Sequence, residues 1–454
     1  MSPETPQRPN ILYVMTDQQN WRMMSCTGNP YLKTPAMDSI AASGVRFDGA
    51  YSANAVCVPA RIAMMTGHYP GRFGVGLNGH GATNPIPESD LRNCLGWLFS
   101  EAGYETAFGG KTHWACNMSV ESIGFGEKLT ADSYDDLADR AVEFLERDHQ
   151  QPFLLVTSFH NPHDICLMAI DAYTRAMGEE LRYPQMARAR ENLAAALEIP
   201  EGMSREEFFE KHCPPLPENY EVTAGEAPGA APGSDFRLWA RENLSDEDWR
   251  LHRWAYCRLT ESVDRQIGRV LEALRAAGLE EDTVIVFSSD HGDLDAAHRL
   301  EHKDVFYEES SRVPFVVSRK GTTDAGRVDE NHLVSANIDL LPTLCDYAGI
   351  PVPEGMPGRS VRELAEGRDV ADWRDYVTVE RGSGRMIRGE RYKYCVYDNG
   401  DPCEDLFDLR EDPGEMKNLA GDAEYAEVLA EHRRQLRAWV DSYGDRIGQA
   451  YVPA

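Results

Sequence analysis

The chain has 454 residues, 42% of them hydrophobic, with 75 acidic against 46 basic side chains and a formal charge of −29. That length exceeds the roughly 250–300 residues at which single cores stop growing, so one large domain with a smaller companion is expected. The acidic balance argues against nucleic-acid or anionic-membrane partners, which need basic surfaces, although screening over about 8 Å still lets a local group of Arg, Lys and His govern a pocket.

From the N-terminus, Met1 to Arg8 is polar and lacks the basic-then-apolar layout of a secretory leader. No stretch approaches the roughly 18 apolar residues of a membrane span. The ten cysteines are scattered singly without a C-x-x-C pair, which predicts neither a zinc site nor a disulfide framework; apart from Cys57 they are read as packing residues, and a reduced, cytoplasmic protein is expected. Asn10 to Met15 reads as a buried strand ending at Thr16-Asp17-Gln18-Gln19. Thr34-Pro35 opens a helix as cap and first residue, and Gly44 stops it. Cys57-Val58-Pro59-Ala60-Arg61 follows, with Pro59 suited to a first helical turn, so Cys57 is expected at a helix N-terminus that favours an anion.

Phe153 to Ser158 and Thr283 to Ser288 are further buried strands, each running into a His/Asp cluster. Between Ile165 and Asp246 Pro and Gly accumulate, which reads as an insertion over the sheet edge and a candidate substrate lid. Ser245 to Ala277 has Val263, Ile267, Val270 and Leu274 at helical spacing, closed by Gly278. A boundary falls near Gly367 to Trp373, beyond which Tyr376 to Glu380 and Arg391 to Tyr397 resemble strands of a small antiparallel sheet and Ala423 to Tyr443 a closing helix. The fold expected is α/β: a mostly parallel sheet sandwiched by helices over residues 1–370, with insertion 165–246, and a C-terminal subdomain over 371–454.

Strand ends in such sheets are where ligands bind, and chemistry collects there. Asp17 and Gln18 at one end, with Asp290 and His291 at another, offer carboxylates, an amide oxygen and an imidazole. That set suits a divalent cation with mostly oxygen donors, Ca²⁺ first, with Mg²⁺ or Mn²⁺ as alternatives.

The C-x-P-x-R run at Cys57 to Arg61 resembles the signature of type I sulfatases of the alkaline-phosphatase-like superfamily, in which the cysteine is oxidised to formylglycine. The resemblance extends over Gly110-Lys111-Thr112-His113, His160-Asn161-Pro162-His163, Asp290-His291-Gly292, Lys303 before Phe306-Tyr307-Glu308, and Asp405 to Leu409 with Asp412-Pro413-Gly414-Glu415. It implies hydrated formylglycine at position 57 as nucleophile and metal ligand with Asp17, Gln18, Asp290 and His291. It further implies Arg61 stabilising residue 57, Lys111 and Lys303 on sulfate oxygens, His163 protonating the leaving alcohol and His113 accepting a proton from the hydrate, with His160 as a substitute acid or substrate contact. Gln18 and His291 stand where the family more often has Asp and Asn, variants that also resemble choline sulfatases and phosphonate monoester hydrolases. Ala60 replaces a frequent Ser.

The implied activity is hydrolysis of a sulfate monoester of a small or oligomeric carbohydrate, after maturation by a formylglycine-generating or anaerobic sulfatase-maturing enzyme. Oligomeric state is left open. Trp21 and Trp114 are candidates to stack on a sugar, His298 and His302 to contact substrate, and Arg175, Arg182, Arg188 and Arg190 to grip further anionic groups. Competing readings are a phosphonate monoester or phosphodiester hydrolase, an aryl or choline sulfatase, and a metal-bound interaction module in which Cys57 stays a thiol.

Overall fold

The apolar run after Pro9 forms β1 (Asn10–Asp17), and in the computed structural model, which describes residues 8–231 and 233–453, it runs through the centre of a large sheet. Residues 1–7, on which most of the reading of the N-terminus rests, lie outside the described residues. Chain order continues with β2 (Val45–Phe47), β3 (Ala50–Tyr51), β4 (Glu105–Gly110), β5 (Glu127–Lys128), β6 (Phe153–Pro162), β7 (Thr283–Ser289), β8 (Phe315–Arg319), β9 (Arg327–Asp329) and β10 (Val334–Ser335). The spatial order is β5-β4-β6-β1-β7-β8-β2-β9, with β3 and β10 as a separate parallel pair. Every neighbour in the large sheet is parallel except β8, which runs against both β7 and β2.

Side chains alternate across a strand, and β1 sorts them accordingly. Ile11, Tyr13 and Met15 enter one core with the helices Cys57–Thr66 and Ala336–Ala348, whereas Leu12 and Val14 enter the other with Pro35–Ser43, Asp135–Leu145 and Asp246–Ala276. Burial on both faces is why these strands read as unbroken apolar runs. The helix Asp246–Ala276 begins at a reciprocal Ser245/Asp248 capping box and ends before Gly278, whose φ is +71°. The helix Pro35–Ser43 starts where expected, but the Thr34 side chain does not cap it. Asp264 of the long helix does, accepting from the N–H groups of Ala36 at 3.2 Å and Met37 at 2.9 Å.

The insertion is more ordered than its Pro and Gly content suggests. It contains the helices Cys166–Met177, Ala187–Ala196, Arg205–Lys211 and Asp235–Asn243. Ala189 and Leu193 bury against Tyr256 and Leu259 of the long helix. Its non-helical part crosses to the C-terminal sheet, where Arg381 Nη1 donates to Gly229 O at 2.9 Å and Ala227 N–H to Asp405 Oδ1 at 2.9 Å.

That sheet is an antiparallel meander of β11 (Tyr376–Arg381), β12 (Gly384–Gly389), β13 (Tyr392–Tyr397) and β14 (Glu404–Asp408). The closing helix Ala426–Tyr443, preceded by a 3₁₀ turn at Ala423–Tyr425, lays Leu429, Leu436 and Val440 on Ile387, Tyr394, Val396 and Leu406. Buried Lys393 reaches back to Glu308 at 3.0 Å, so the expected boundary marks a change of sheet rather than a gap in contacts. None of the ten cysteines forms a disulfide, and Cys26 and Cys116 are exposed, which corrects their reading as packing residues.

Candidate active site

β1 and β7 are neighbours in register, Met15 beside Ser288 and Thr16 beside Ser289, so residues 273 positions apart in sequence end side by side. Asp17 closes β1 and Asp290 follows β7, both fully buried. Gln18 turns with φ +69°, a strained value for a residue with a Cβ, and its backbone N–H donates to Asp290 Oδ1 at 3.1 Å. Cys57 is the first residue of its helix, as the position of Pro59 indicates, and is 1% exposed. Its Sγ lies 3.1 Å from His291 Nε2, 2.9 Å from Lys303 Nζ and 3.7 Å from Asp17 Oδ1.

Arg61 lies one helical turn beyond Cys57 and is equally buried. Its Nη2 donates to Asp17 Oδ2 at 2.9 Å and its Nε to Asp290 Oδ2 at 2.8 Å, while Nη1 donates to Ser158 Oγ and Lys111 O, each at 2.8 Å. One planar fork therefore holds the ends of β1, β7, β6 and β4 together. Lys111 follows Gly110, whose φ of +92° and whose virtual Cβ at 2.2 Å from Ser158 O permit only glycine there. The Lys111 ammonium reaches Asp17 Oδ2 at 2.6 Å, and Lys303 Nζ lies 3.8 Å from Asp17 Oδ1.

Charge is unevenly settled in this cluster. Burial pushes the Asp17 carboxyl up, but Lys111, His163, Lys303 and Arg61 outweigh it and hold it well below the carboxylate range. Asp290 is raised, by burial and by the Asp17 charge. Burial and Asp17 oppose ionisation of the Cys57 thiol, yet Lys303, Lys111 and His291 bring it well below its ordinary value. Burial disfavours a charged His291, yet chiefly the Asp290 carboxylate raises it. Ligand atoms of Asp17, Cys57, Asp290 and His291 all lie within 4.8 Å of one another. Such packed donors, two of them carboxylates, fit a divalent cation.

His163 closes the other side, with Nε2 4.0 Å from Asp17 Oδ1. Burial first, then Lys111 and Lys303, pulls its pKa down to about 3. His160 packs its ring 4.6 Å from that of His163 and is tied to Asp164 at 3.3 Å. Gln18 enters through its backbone; its amide Oε1 accepts from Lys303 Nζ at 2.7 Å and its Nε2 donates to Asp293 Oδ2 at 2.7 Å.

Several expected residues stand elsewhere. His113 is exposed on a left-handed turn with φ +48°. Trp114 is part-buried, its ring edge-on against Phe108 at 4.9 Å and packed on the core beneath β4. His298 is fully buried, stacked on Tyr307 at 3.6 Å and hydrogen-bonded with Thr223 at 3.0 Å, inside a cluster with Glu309 and Glu415. Trp21 is buried between Arg22 and Arg312. Arg190 is paired with Asp171, and exposed Arg188 donates to Asp132 and Asp135. His302, by contrast, adjoins Lys303, and its ring feels the charges of Lys303 and His163.

Sequence reasoning missed Ser158 and Asp293. Asp293 fixes Gln18 Nε2 and also accepts from His302 N–H at 3.1 Å. Its signal was present as the second acid of Ser289-Asp290-His291-Gly292-Asp293; Ser158, within β6 and beside Met15, carried no such signal.

A family model described as Sulfatase matches residues 9–350, and a second described as N-sulphoglucosamine sulphohydrolase, C-terminal, matches residues 296–441. The chain is 31% identical over 480 aligned residues to a Delta 4,5-hexuronate-2-O-sulfatase of Bacteroides thetaiotaomicron, covering 99% of this chain and 91% of that protein. It is 28% identical to an N-acetylglucosamine-6-O-sulfatase of the same organism, covering 97% and 88%. A solved structure of a 2-O GAG sulfatase superposes with a TM-score of 0.80 at 28% identity, covering 97% of this chain and 93% of that one.

Proposed function

The chain belongs to the sulfatase family, and from that premise we propose that it removes sulfate from a carbohydrate through a formylglycine made from Cys57, with one divalent ion, Ca²⁺, beside it. The observation that carries this reading is the position of Cys57 Sγ, at a helix N-terminus and within 3.1 Å of both His291 Nε2 and Lys303 Nζ. The carbohydrate is supported by the sulfated-sugar enzymes to which the chain is similar.

Asp17, Asp290, His291 and residue 57 would hold the ion, whose positive charge stabilises negative oxygen at residue 57 and on the sulfuryl group. The chain's own residues perform the rest. Lys111 and Lys303 flank residue 57 from two elements and neutralise the sulfate oxygens that repel a nucleophile. Arg61 keeps both carboxylates and the helix start in one geometry. His163 holds the proton for the leaving oxygen. Burial first, and then the repulsion of the two ammoniums, depresses its pKa in the site without substrate. An anionic sulfate ester between them offsets that repulsion, so His163 gains its proton as substrate binds. His113 is assigned acceptance of the hydrate proton from the family pattern alone. An oxidising maturation enzyme reading Cys57, Pro59 and Arg61 completes the scheme.

The test pairs mass analysis of the Cys57 peptide with release of inorganic sulfate from a 2-O-sulfated unsaturated hexuronate, a 6-O-sulfated N-acetylglucosamine and 4-nitrophenyl sulfate. Loss of sulfur from residue 57, sugar desulfation, and no activity in Cys57→Ala are expected. An active protein with an intact thiol would refute the scheme.

A further inference from the structure

Lys303 is held toward residue 57 from both of its ends. Its ammonium donates to Cys57 Sγ at 2.9 Å and to Gln18 Oε1 at 2.7 Å, and the N–H of His302, one residue before it, donates to Asp293 Oδ2 at 3.1 Å. The same Asp293 Oδ2 accepts from Gln18 Nε2 at 2.7 Å. One carboxylate oxygen thus ties down the backbone that carries Lys303 and, through a single amide, the charged tip of its side chain. Asp293 stands outside the set of Asp17, Cys57, Asp290 and His291 whose donor atoms cluster together.

The direction of that amide follows from its neighbours. A carboxylate oxygen only accepts and an ammonium only donates, so Gln18 must turn its nitrogen to Asp293 and its oxygen to Lys303. Turned over, it would set donor against donor at Lys303 and acceptor against acceptor at Asp293. The Cys166 thiol donates to the same Oε1 at 3.0 Å, in keeping with this orientation. Asp293 is itself fully buried and anchored: Oδ1 accepts from Asp295 N–H at 2.8 Å and lies 3.3 Å from His252 Nε2 of the long helix, and its backbone oxygen accepts from Asn20 Nδ2 at 3.0 Å.

We propose that Asp293 is a positioning residue for sulfate-ester cleavage: it orients the Gln18 amide, and the amide aims the Lys303 ammonium at the group bound beside residue 57. The inference rests on the sulfatase reading above and adds to it a residue that acts without touching substrate. The relay also places charge. A neutral amide gives Lys303 a hydrogen bond without cancelling its charge, and the Asp293 carboxylate stands one residue further off. Lys303 therefore keeps its positive charge for the sulfate oxygens, which a carboxylate in direct contact would offset.

The test is a double-mutant cycle on the matured, metal-loaded enzyme: wild type, Asp293→Asn, Lys303→Ala and the two together, read as kcat/KM on the sulfate ester the wild type cleaves fastest. Asp293→Asn keeps the shape but replaces one accepting oxygen by a donor. Alone it is expected to lower kcat/KM by about 10- to 100-fold, the value of a hydrogen bond to a charged group. With Lys303 already Ala it is expected to cost less than about threefold, because the residue it acts through is gone. An equal loss in both backgrounds, whether it arises in the fold or at the bound ion, would overturn the inference, and so would Asp293→Asn with wild-type activity. Should Asp293→Asn not fold, Gln18→Met, which removes the amide and leaves Asp293 its other partners, goes through the same cycle with the same expected and overturning results. An additive cycle in an active enzyme leaves the sulfatase reading standing; a wild type that cleaves no sulfate ester removes both.

Discussion

Arg61 is where the chemistry and the stability of this protein meet. Its guanidinium donates to Asp17 and Asp290, which end two adjacent strands, and all three groups are essentially sealed from water. Removing one partner of a buried ion pair costs more than the pair itself is worth, because the other charge is left unpaired. Arg61→Ala is therefore expected to lower unfolding free energy by about 3–5 kcal/mol, read from urea denaturation, and to abolish sulfate release. Arg61→Lys restores the charge but not the fork, so it is expected to recover part of the stability and little of the activity. Equal stability of the wild type and Arg61→Ala would show the carboxylates to be neutralised by something else.

At the scale of elements, the strands deliver the site and the helices fix its entry angles. Asp264 illustrates how one element completes another, since it caps Pro35–Ser43 from the long helix and binds Met37 N–H at 2.9 Å. Burial raises its carboxyl to about 6 while the same N–H groups favour the charged form. Asp264→Ala is expected to cost about 1–2 kcal/mol in urea denaturation, as loss of a helix cap does, with sulfate release intact because the cap lies away from residue 57. The segment between β7 and Glu308 is the other case. Asp295, Ala296, His298, Arg299, His302 and Asp304 all adopt positive φ, values that residues with a Cβ rarely take. This strained path returns Lys303 to Cys57 and is held by contacts such as Leu294 N–H to His302 O at 2.9 Å. Local propensity predicts no such conformation, so the placement of His298 and His302 was not legible from spacing.

Across the whole molecule, the C-terminal sheet is joined to the catalytic domain by buried polar contacts. Glu380 near the end of β11 accepts from Gly71 N–H at 2.6 Å, just beyond the helix that begins with Cys57, and Lys393 of β13 pairs with Glu308. Burial raises the Glu380 carboxyl to about 8. A raised carboxyl is protonated in the fold, so its contribution is fully present below the unfolded value of about 4.3 and is lost as pH rises through about 8. Between pH 5 and 9 the wild type is expected to lose stability on the order of a few kcal/mol relative to Glu380→Gln. Parallel stability curves for the two proteins would show that Glu380 is ionised in the fold.

The amino-acid sequence by itself determined the alternating α/β architecture, because strands buried on both faces must be apolar throughout and the long helix must repeat its apolar residues every three or four positions. It also indicated which side chains gather around residue 57, since Asp17, Cys57, Lys111, His163, Asp290, His291 and Lys303 each lie at an element end or in a loop that the sheet brings to one edge, with Arg61 one helical turn beyond Cys57. Only the tertiary structure decided that His298 is sealed inside a buried cluster with Glu309 and Glu415 and that Arg190 is paired with Asp171. Those outcomes depend on which partner comes within hydrogen-bonding distance from elsewhere in the chain, as with Thr223 and His298, 75 residues apart. Spacing along one chain carries no information about such distances, whereas burial makes each of them decisive.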